Sequence, residues 1–171
     1  EGIFAVLNEK KNEMLAEGKK IYNLSVGTPD FEPPEHIRKA VAEAAAKPEN
    51  YKYSLADLPE LTQAVQDFYQ KRFGVKLEKD EIMSMNGSQE GMAHFAWALC
   101  NPGDVVLVPN PGYPIFKIGP ELCDAVTVEY PLYEKNHFLP KFEDIPEETA
   151  KKARFMVVNY PSNPVCSVAD D

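Results

Sequence analysis

Three short stretches of this chain carry residue types that could do chemistry on a bound small molecule. Asn159-Tyr160-Pro161-Ser162-Asn163-Pro164 follows an apolar run, Phe155-Met156-Val157-Val158, that reads as a buried strand. A strand feeding a rigid, twice-proline loop holds one amide side chain, that of Asn163, at the carboxyl end of a sheet, where open α/β sheets bind ligands. Asn86-Gly87-Ser88-Gln89 lies between an expected strand and an expected helix. Ser88 suits the N-cap of that helix and Gly87 permits close backbone approach. The free N–H groups of the helix start favour an anion. Tyr113, between Pro111-Gly112 and Pro114, has a tightly restricted backbone. An aromatic held that way can stack on a flat heteroaromatic ring and still offer its hydroxyl. Each stretch also has an ordinary reading: a capped strand–helix turn, a loop tyrosine packed on the surface, a turn asparagine before proline.

The elements that must position these groups follow from periodicity. A first helix is expected over residues 2–16, ended by Gly18, and a short strand over 21–26. Pro33 and Pro34 open a helix with Ile37, Val41 and Ala44 on one face, stopped by Lys47-Pro48. Residues 51–58 read as an exposed connector. Pro59 begins a helix with Leu61, Val65 and Phe68 on one face, ended by Gly74. Strands are then expected near 81–85, 104–108, 125–130 and 154–159. Helices are expected at 88–100, with Met92, Phe95, Ala96 and Leu99 inward, at 114–123, shortened or kinked by Pro120, and at 142–152. Such alternation predicts an α/β fold, a largely parallel sheet with flanking helices.

Composition narrows the function classes. The chain has 171 residues, 44% of them hydrophobic, enough for a real core. Its 27 acidic and 18 basic residues give a formal charge of −9. That argues against a nucleic-acid footprint, which needs a basic patch, and leaves open a local phosphate site. No apolar run approaches the ~20 residues of a membrane helix, and no signal peptide is visible. Cys100, Cys123 and Cys166 show no CxxC spacing, which fits a reducing, cytoplasmic location. His36, His94 and His137 are scattered, so no metal site is expected.

The chain resembles the N-terminal part of a fold-type I, pyridoxal-phosphate-dependent aminotransferase of the aspartate aminotransferase superfamily. The matching text is Asn23 to Phe31, Tyr53-Ser54 with Leu58-Pro59-Glu60-Leu61, Asn86-Gly87-Ser88, Pro102-Gly103-Asp104, Pro111-Gly112-Tyr113-Pro114 and Asn159 to Pro164. The resemblance implies that residues 1–50 form an N-terminal arm and part of the small domain, and 51–171 the N-terminal part of an incomplete cofactor-binding large domain. It implies pyridoxal 5′-phosphate as cofactor, with Ser88 and Gln89 contacting the phosphate, Tyr113 stacking on the pyridine ring and Asn163 donating to the ring 3-oxygen. Tyr53 would reach the phosphate of the other subunit of a homodimer, with Tyr51 as its rival, and Gly27 would lie beside the substrate carboxylate. Departures occur too. Asp57 stands where glycine is expected, in a connector one residue short; Thr62 stands where arginine is common; Val165-Cys166 replace the usual Thr-Gly.

The resemblance also implies what this stretch lacks. The Schiff-base lysine is expected beyond residue 171, as are an aspartate on the pyridine nitrogen and an arginine for the substrate carboxylate, so no catalytic residue is assigned here. The N-terminus lacks an initiating Met, which reads as a processed, trimmed or incompletely represented product. The expected reaction is transfer of an amino group from an α-amino acid to a 2-oxo acid. A β-eliminating lyase of the same superfamily and a non-catalytic, ligand-binding module are the alternatives. An unrelated nucleotide-binding domain lacks support, because neither GxGxxG nor a phosphate-loop lysine motif is present.

Overall fold

The computed structural model describes residues 3–24, 27 and 29–169. The chain separates into two compact units that meet in sequence between Leu55 and Ala56. The first contains α1 (Ile3–Ala16) and α2 (Glu35–Ala45). Pro34, with φ −51°, precedes the first turn of α2, and a 3-10 turn over Pro48–Asn50 follows it. Residues 21–24 are not strand; Ser25 and Val26, the rest of the expected 21–26 strand, lie outside the described residues.

The second unit begins with α3 (Pro59–Phe73). Pro59 occupies the first helical position, where no N–H partner is needed. Gly74 ends the helix at φ 70°, a left-handed cap that glycine adopts without a Cβ penalty. Then come α4 (Ser88–Leu99), β1 (Val105–Asn110), α5 (Ile115–Glu121), β2 (Val126–Pro131), α6 (Glu147–Lys152) and β3 (Ala153–Met156). The three strands form one parallel sheet in the order β2-β1-β3. Mixed α/β architecture with a parallel sheet is thus as the alternation predicted.

β1 is central and buried on both faces, so it reads as a continuous apolar run rather than an alternating one. Val106 and Val108 point to one face, where they pack with Ile115, Phe116 and Ala125. Leu107 points to the other, with Tyr130 and Leu132. α5 lies against α4 through Gly119. A Cβ there would stand 3.0 Å from the Met92 carbonyl oxygen and 3.2 Å from the Ala93 Cα, so any side chain would push the helices apart by a few tenths of an ångström.

Four local expectations are corrected. Residues 82–85 are not a strand: Ile82 is extended, with φ −123° and ψ 129°, yet no neighbour among the described residues hydrogen-bonds to this segment as a ladder, and Met83 stays exposed. The last helix starts at Glu147 rather than 142, because Pro146 keeps extended ψ at its N-cap; a separate 3-10 turn covers Phe142–Asp144. β3 ends at Met156 rather than 159, although the Val157 N–H still donates to the Leu107 carbonyl at 2.9 Å. On α4 only Ala96 of the four inward candidates is buried; Phe95 makes an edge contact with Phe155 at 5.3 Å between centroids but remains half exposed.

Candidate functional site

Three chain segments converge at the carboxyl ends of β1 and β3. Ser88, Gln89, Met92, Tyr113, Ile115, Phe116, Asn159 and Asn163 line one hollow of about 390 Å³. Four of the residues singled out in the sequence, Ser88, Gln89, Tyr113 and Asn163, therefore share one space. Gly27 and Tyr53 belong to the other compact unit.

The first wall is the start of α4. Gly87, not Ser88, is the N-cap. It has φ 92° and ψ 153°, a conformation essentially reserved for glycine, and no side chain caps the helix. Ser88 thereby becomes the first helical residue, with its N–H among the unpaired donors of the first turn. Glu90 reaches back so that its carboxylate accepts the Asn86 N–H at 2.6 Å. It also lies 3.8 Å from His94 Nδ1. The sequence reasoning passed over Glu90; the signal was an acidic residue three positions after the cap, the capping-box spacing.

The second wall is the loop after β1. A Cβ on Gly112 would fall 2.4 Å from the Pro109 carbonyl oxygen, so the loop can fold back only with glycine there. Tyr113 is half-buried. Its ring meets Phe116 edge-on at 6.0 Å between centroids. Its hydroxyl donates to Gln89 Oε1 at 3.0 Å. Ring plane and hydroxyl are thus fixed from two directions, and the Gln89 amide keeps its two N–H donors for another partner. The base of the loop is tied as well. Asn110 Nδ2 donates to Glu129 Oε2 at 2.6 Å, and Lys117 Nζ stands 3.0 Å from Glu129 Oε1. The Glu129 carboxylate is held below its usual range by the Lys117 amine, and that amine is raised in turn by the carboxylate.

The third wall is the loop after β3. Asn159 Oδ1 accepts the Asn163 backbone N–H at 3.1 Å. Ser162 is buried; its N–H donates to the Ser167 carbonyl at 2.9 Å, and its own carbonyl accepts the Cys166 N–H at 2.7 Å. Asn159 was read only as part of the motif, but it is the residue that braces Asn163. Behind the loop, Tyr160 donates to the Phe138 carbonyl at 2.7 Å and Tyr130 to the Val157 carbonyl at 2.6 Å.

Chemically, the hollow offers first-turn N–H donors, an amide from Gln89, an aromatic face with a hydroxyl, and an amide from Asn163. That set suits a flat ring carrying an anionic group and a polar ring substituent. Among the described residues no group of three or more His, Cys, Asp or Glu could hold a metal ion. No described helix is long and apolar enough to cross a membrane.

Comparison with known proteins agrees over nearly the whole chain. The family described as aminotransferase class I and II matches residues 19–171. An LL-diaminopimelate aminotransferase of Dehalococcoides mccartyi (strain CBDB1) is 41% identical over 169 residues, 98% of this chain and 44% of that protein. One from Aquifex aeolicus is 43% identical over 164 residues, 95% of this chain and 42% of that protein. Among solved structures, apo-BacF from Bacillus subtilis superposes with a TM-score of 0.91 at 38% identity, covering 98% of this chain and 43% of that one. A probable N-succinyldiaminopimelate aminotransferase from Thermus thermophilus gives 0.88 at 33% identity, covering 99% and 46%. The chain spans less than half the length of the curated relatives it matches.

Proposed function

The chain belongs to the class I and II aminotransferase family, and on that footing we propose that its second unit is the N-terminal part of a cofactor-binding domain. The first unit supplies an N-terminal arm and part of a small domain. The enzyme they serve transfers an amino group from an α-amino acid to a 2-oxo acid using pyridoxal 5′-phosphate. The observation that carries this reading is the convergence of Ser88, Gln89, Tyr113 and Asn163 on one hollow.

The residues fit the cofactor. Ser88 and Gln89 offer first-turn N–H groups to its phosphate, and Gly87, with open space where a Cβ would be, lets that anion approach the backbone. The acidic Glu90 does not oppose this fully, because its carboxylate is committed to the Asn86 N–H. Tyr113 presents its ring as a stacking platform, held by Gln89 and Phe116. Asn163 would donate to the ring oxygen, from a loop that Asn159 braces by accepting the Asn163 backbone N–H. When bound, the cofactor supplies an electron sink for charge developing at the substrate Cα.

Gly27 serves beside the substrate carboxylate, and open space surrounds its missing Cβ. Because relatives about 40% identical bear that name, LL-diaminopimelate is the first donor to test. The protein acts as a homodimer in the cytoplasm, a compartment that suits its three free cysteines.

The test uses the full-length protein purified with pyridoxal 5′-phosphate. LL-diaminopimelate and a panel of other amino acids serve as donors, with 2-oxoglutarate as acceptor, and glutamate formation is measured. Glutamate from at least one donor is expected. A protein that retains the cofactor but transfers no amino group across the panel overturns the reaction; one that retains no cofactor overturns the site.

A further inference from the structure

At the amino-terminal ends of the strands, opposite the hollow, two cysteines come together that the reaction does not use. Cys100 lies between α4 and β1, and Cys123 between α5 and β2. β1 and β2 are adjacent and parallel, with Val105 opposite Val126, so the two loops enter the sheet side by side. Two backbone hydrogen bonds stitch them: the Gly103 N–H to the Asp124 carbonyl and the Val126 N–H to the Asp104 carbonyl, both 2.8 Å. Both side chains pack on the same apolar cluster of Val106, Val108, Ile115, Phe116 and Ala125. Both are half-buried and neither is in a disulfide.

We propose that Cys100 and Cys123 form a reversible disulfide that locks these two loops, with a low-molecular-weight disulfide as oxidant. One cysteine, as thiolate, attacks a sulfur of the oxidant, forming a mixed disulfide and releasing one small thiol. The second cysteine gives up its proton and attacks the protein sulfur of that mixed disulfide, forming the Cys100–Cys123 bond and expelling the second small thiol. Two electrons and two protons pass from the protein to the oxidant.

The surroundings bear on the rate. Burial, then the neighbouring Cys123 and Asp104, raise the Cys100 thiol above its ordinary range, while the Arg154 guanidinium works the other way. Arg154 is fixed beside the pair by its Nε donating to the Leu99 carbonyl at 2.9 Å. A cation there favours the attacking thiolate. The raised thiol lowers the thiolate fraction and so slows the first attack, and the Arg154 charge works against this. The lock needs no cofactor, so its test is independent of the proposed activity.

The full-length protein is exposed to oxidised glutathione, quenched in acid, alkylated and digested without reductant for peptide mass mapping. The expected product joins the Cys100 and Cys123 peptides, disappears with dithiothreitol, and raises the melting temperature by a few degrees while present. In Cys123→Ser, Cys100 should stop at the glutathione adduct and the melting shift should vanish. Exposed Cys166 reports that the oxidant was active. Recovery of Cys100 and Cys123 only as free thiols or separate adducts, under conditions that modify Cys166, overturns the proposal. So does joining of either one to Cys166 instead.

Discussion

Single residues show how this chain departs from the pattern it resembles. Asp57, where glycine was expected, anchors a distant segment. Its carboxylate accepts the Ser84 N–H at 2.9 Å and also the Ser84 hydroxyl. The Ser84 hydroxyl, then its N–H, hold that carboxylate below its usual range. Cys166, also at an expected glycine, sits at φ 58°. A side chain in left-handed backbone costs about 1–2 kcal/mol, and glycine gives back roughly 0.5–1 of that in chain entropy. Cys166→Gly should therefore stabilise the protein by up to about 1 kcal/mol, read from denaturant midpoints at unchanged slope. A lowered midpoint contradicts the strain argument. At the hollow, Tyr113→Ala should weaken pyridoxal 5′-phosphate binding by about 1 kcal/mol beyond lost area, with the cofactor-free melting curve little changed. Tyr113→Phe, which keeps the ring and loses only the bond to Gln89, should fall between. Equal affinity in all three proteins removes Tyr113 from the site.

At the scale of elements, helices were legible where local chemistry decides them. Pro59 and Gly74 bracket α3, and apolar spacing marks α4. β1 was legible because an unbroken apolar run bounded by turn residues leaves few alternatives, and β2 because Val126, Val128 and Tyr130 alternate with polar residues. The 81–85 strand was not, because a ladder depends on a distant partner that local alternation does not report. The cap was misread by one position, since Ser88 has the better capping side chain while Gly87 has the only backbone able to make the turn. The site's residue types were visible, but their bracing by Asn159, Glu90 and Glu129 spans loops and needed coordinates. Two element contacts can be tested. Gly119→Val drives side-chain atoms into α4 backbone that cannot swing aside, so a loss of about 1–3 kcal/mol is expected in thermal or chemical unfolding; wild-type stability means the helices can separate without cost. Tyr130 ties β2 to the end of β3. Burial, reinforced by Tyr160, pushes its hydroxyl up to about 12 from an ordinary value near 10. The folded state then holds this proton more tightly than the unfolded one. Its contribution, at most about 3 kcal/mol, is complete below pH 10 and is lost as pH rises through about 12. Tyr130→Phe should cost about 1–2 kcal/mol near neutrality by leaving the Val157 carbonyl unpaired. It should also flatten the alkaline decline, leaving the smaller share of Tyr160, whose hydroxyl burial also raises. An alkaline limb identical to wild type assigns that decline elsewhere.

At the scale of the whole molecule, the proposed homodimer turns on which tyrosine of the connector crosses between subunits. The two differ in a way the sequence could not reveal. The Tyr51 hydroxyl donates to the Ala45 carbonyl at 2.7 Å and closes the end of α2. Tyr53 is 91% exposed. Tyr51 is 74% exposed as well, so what separates the two is the hydroxyl: that of Tyr51 is already engaged within its own unit. Tyr53 is therefore the residue expected to complete the neighbour's phosphate site, and Tyr51 the one expected to hold its own unit together. Tyr53→Phe should lower cofactor affinity without affecting stability, while Tyr51→Phe should do the reverse. Mixing provides the decisive arm. One parent carries Tyr53→Phe; the other carries Tyr113→Ala with Asn163→Ala, defects that stay within their own subunit's hollow. If the phosphate site is shared, a hybrid dimer holds one site with every defect and one with none. Activity per hybrid should then rise toward half that of wild type, well above either parent. Verified hybrids no more active than the parents' mean would show that each hollow is completed within its own chain, and would return Tyr53 to the solvent-exposed surface.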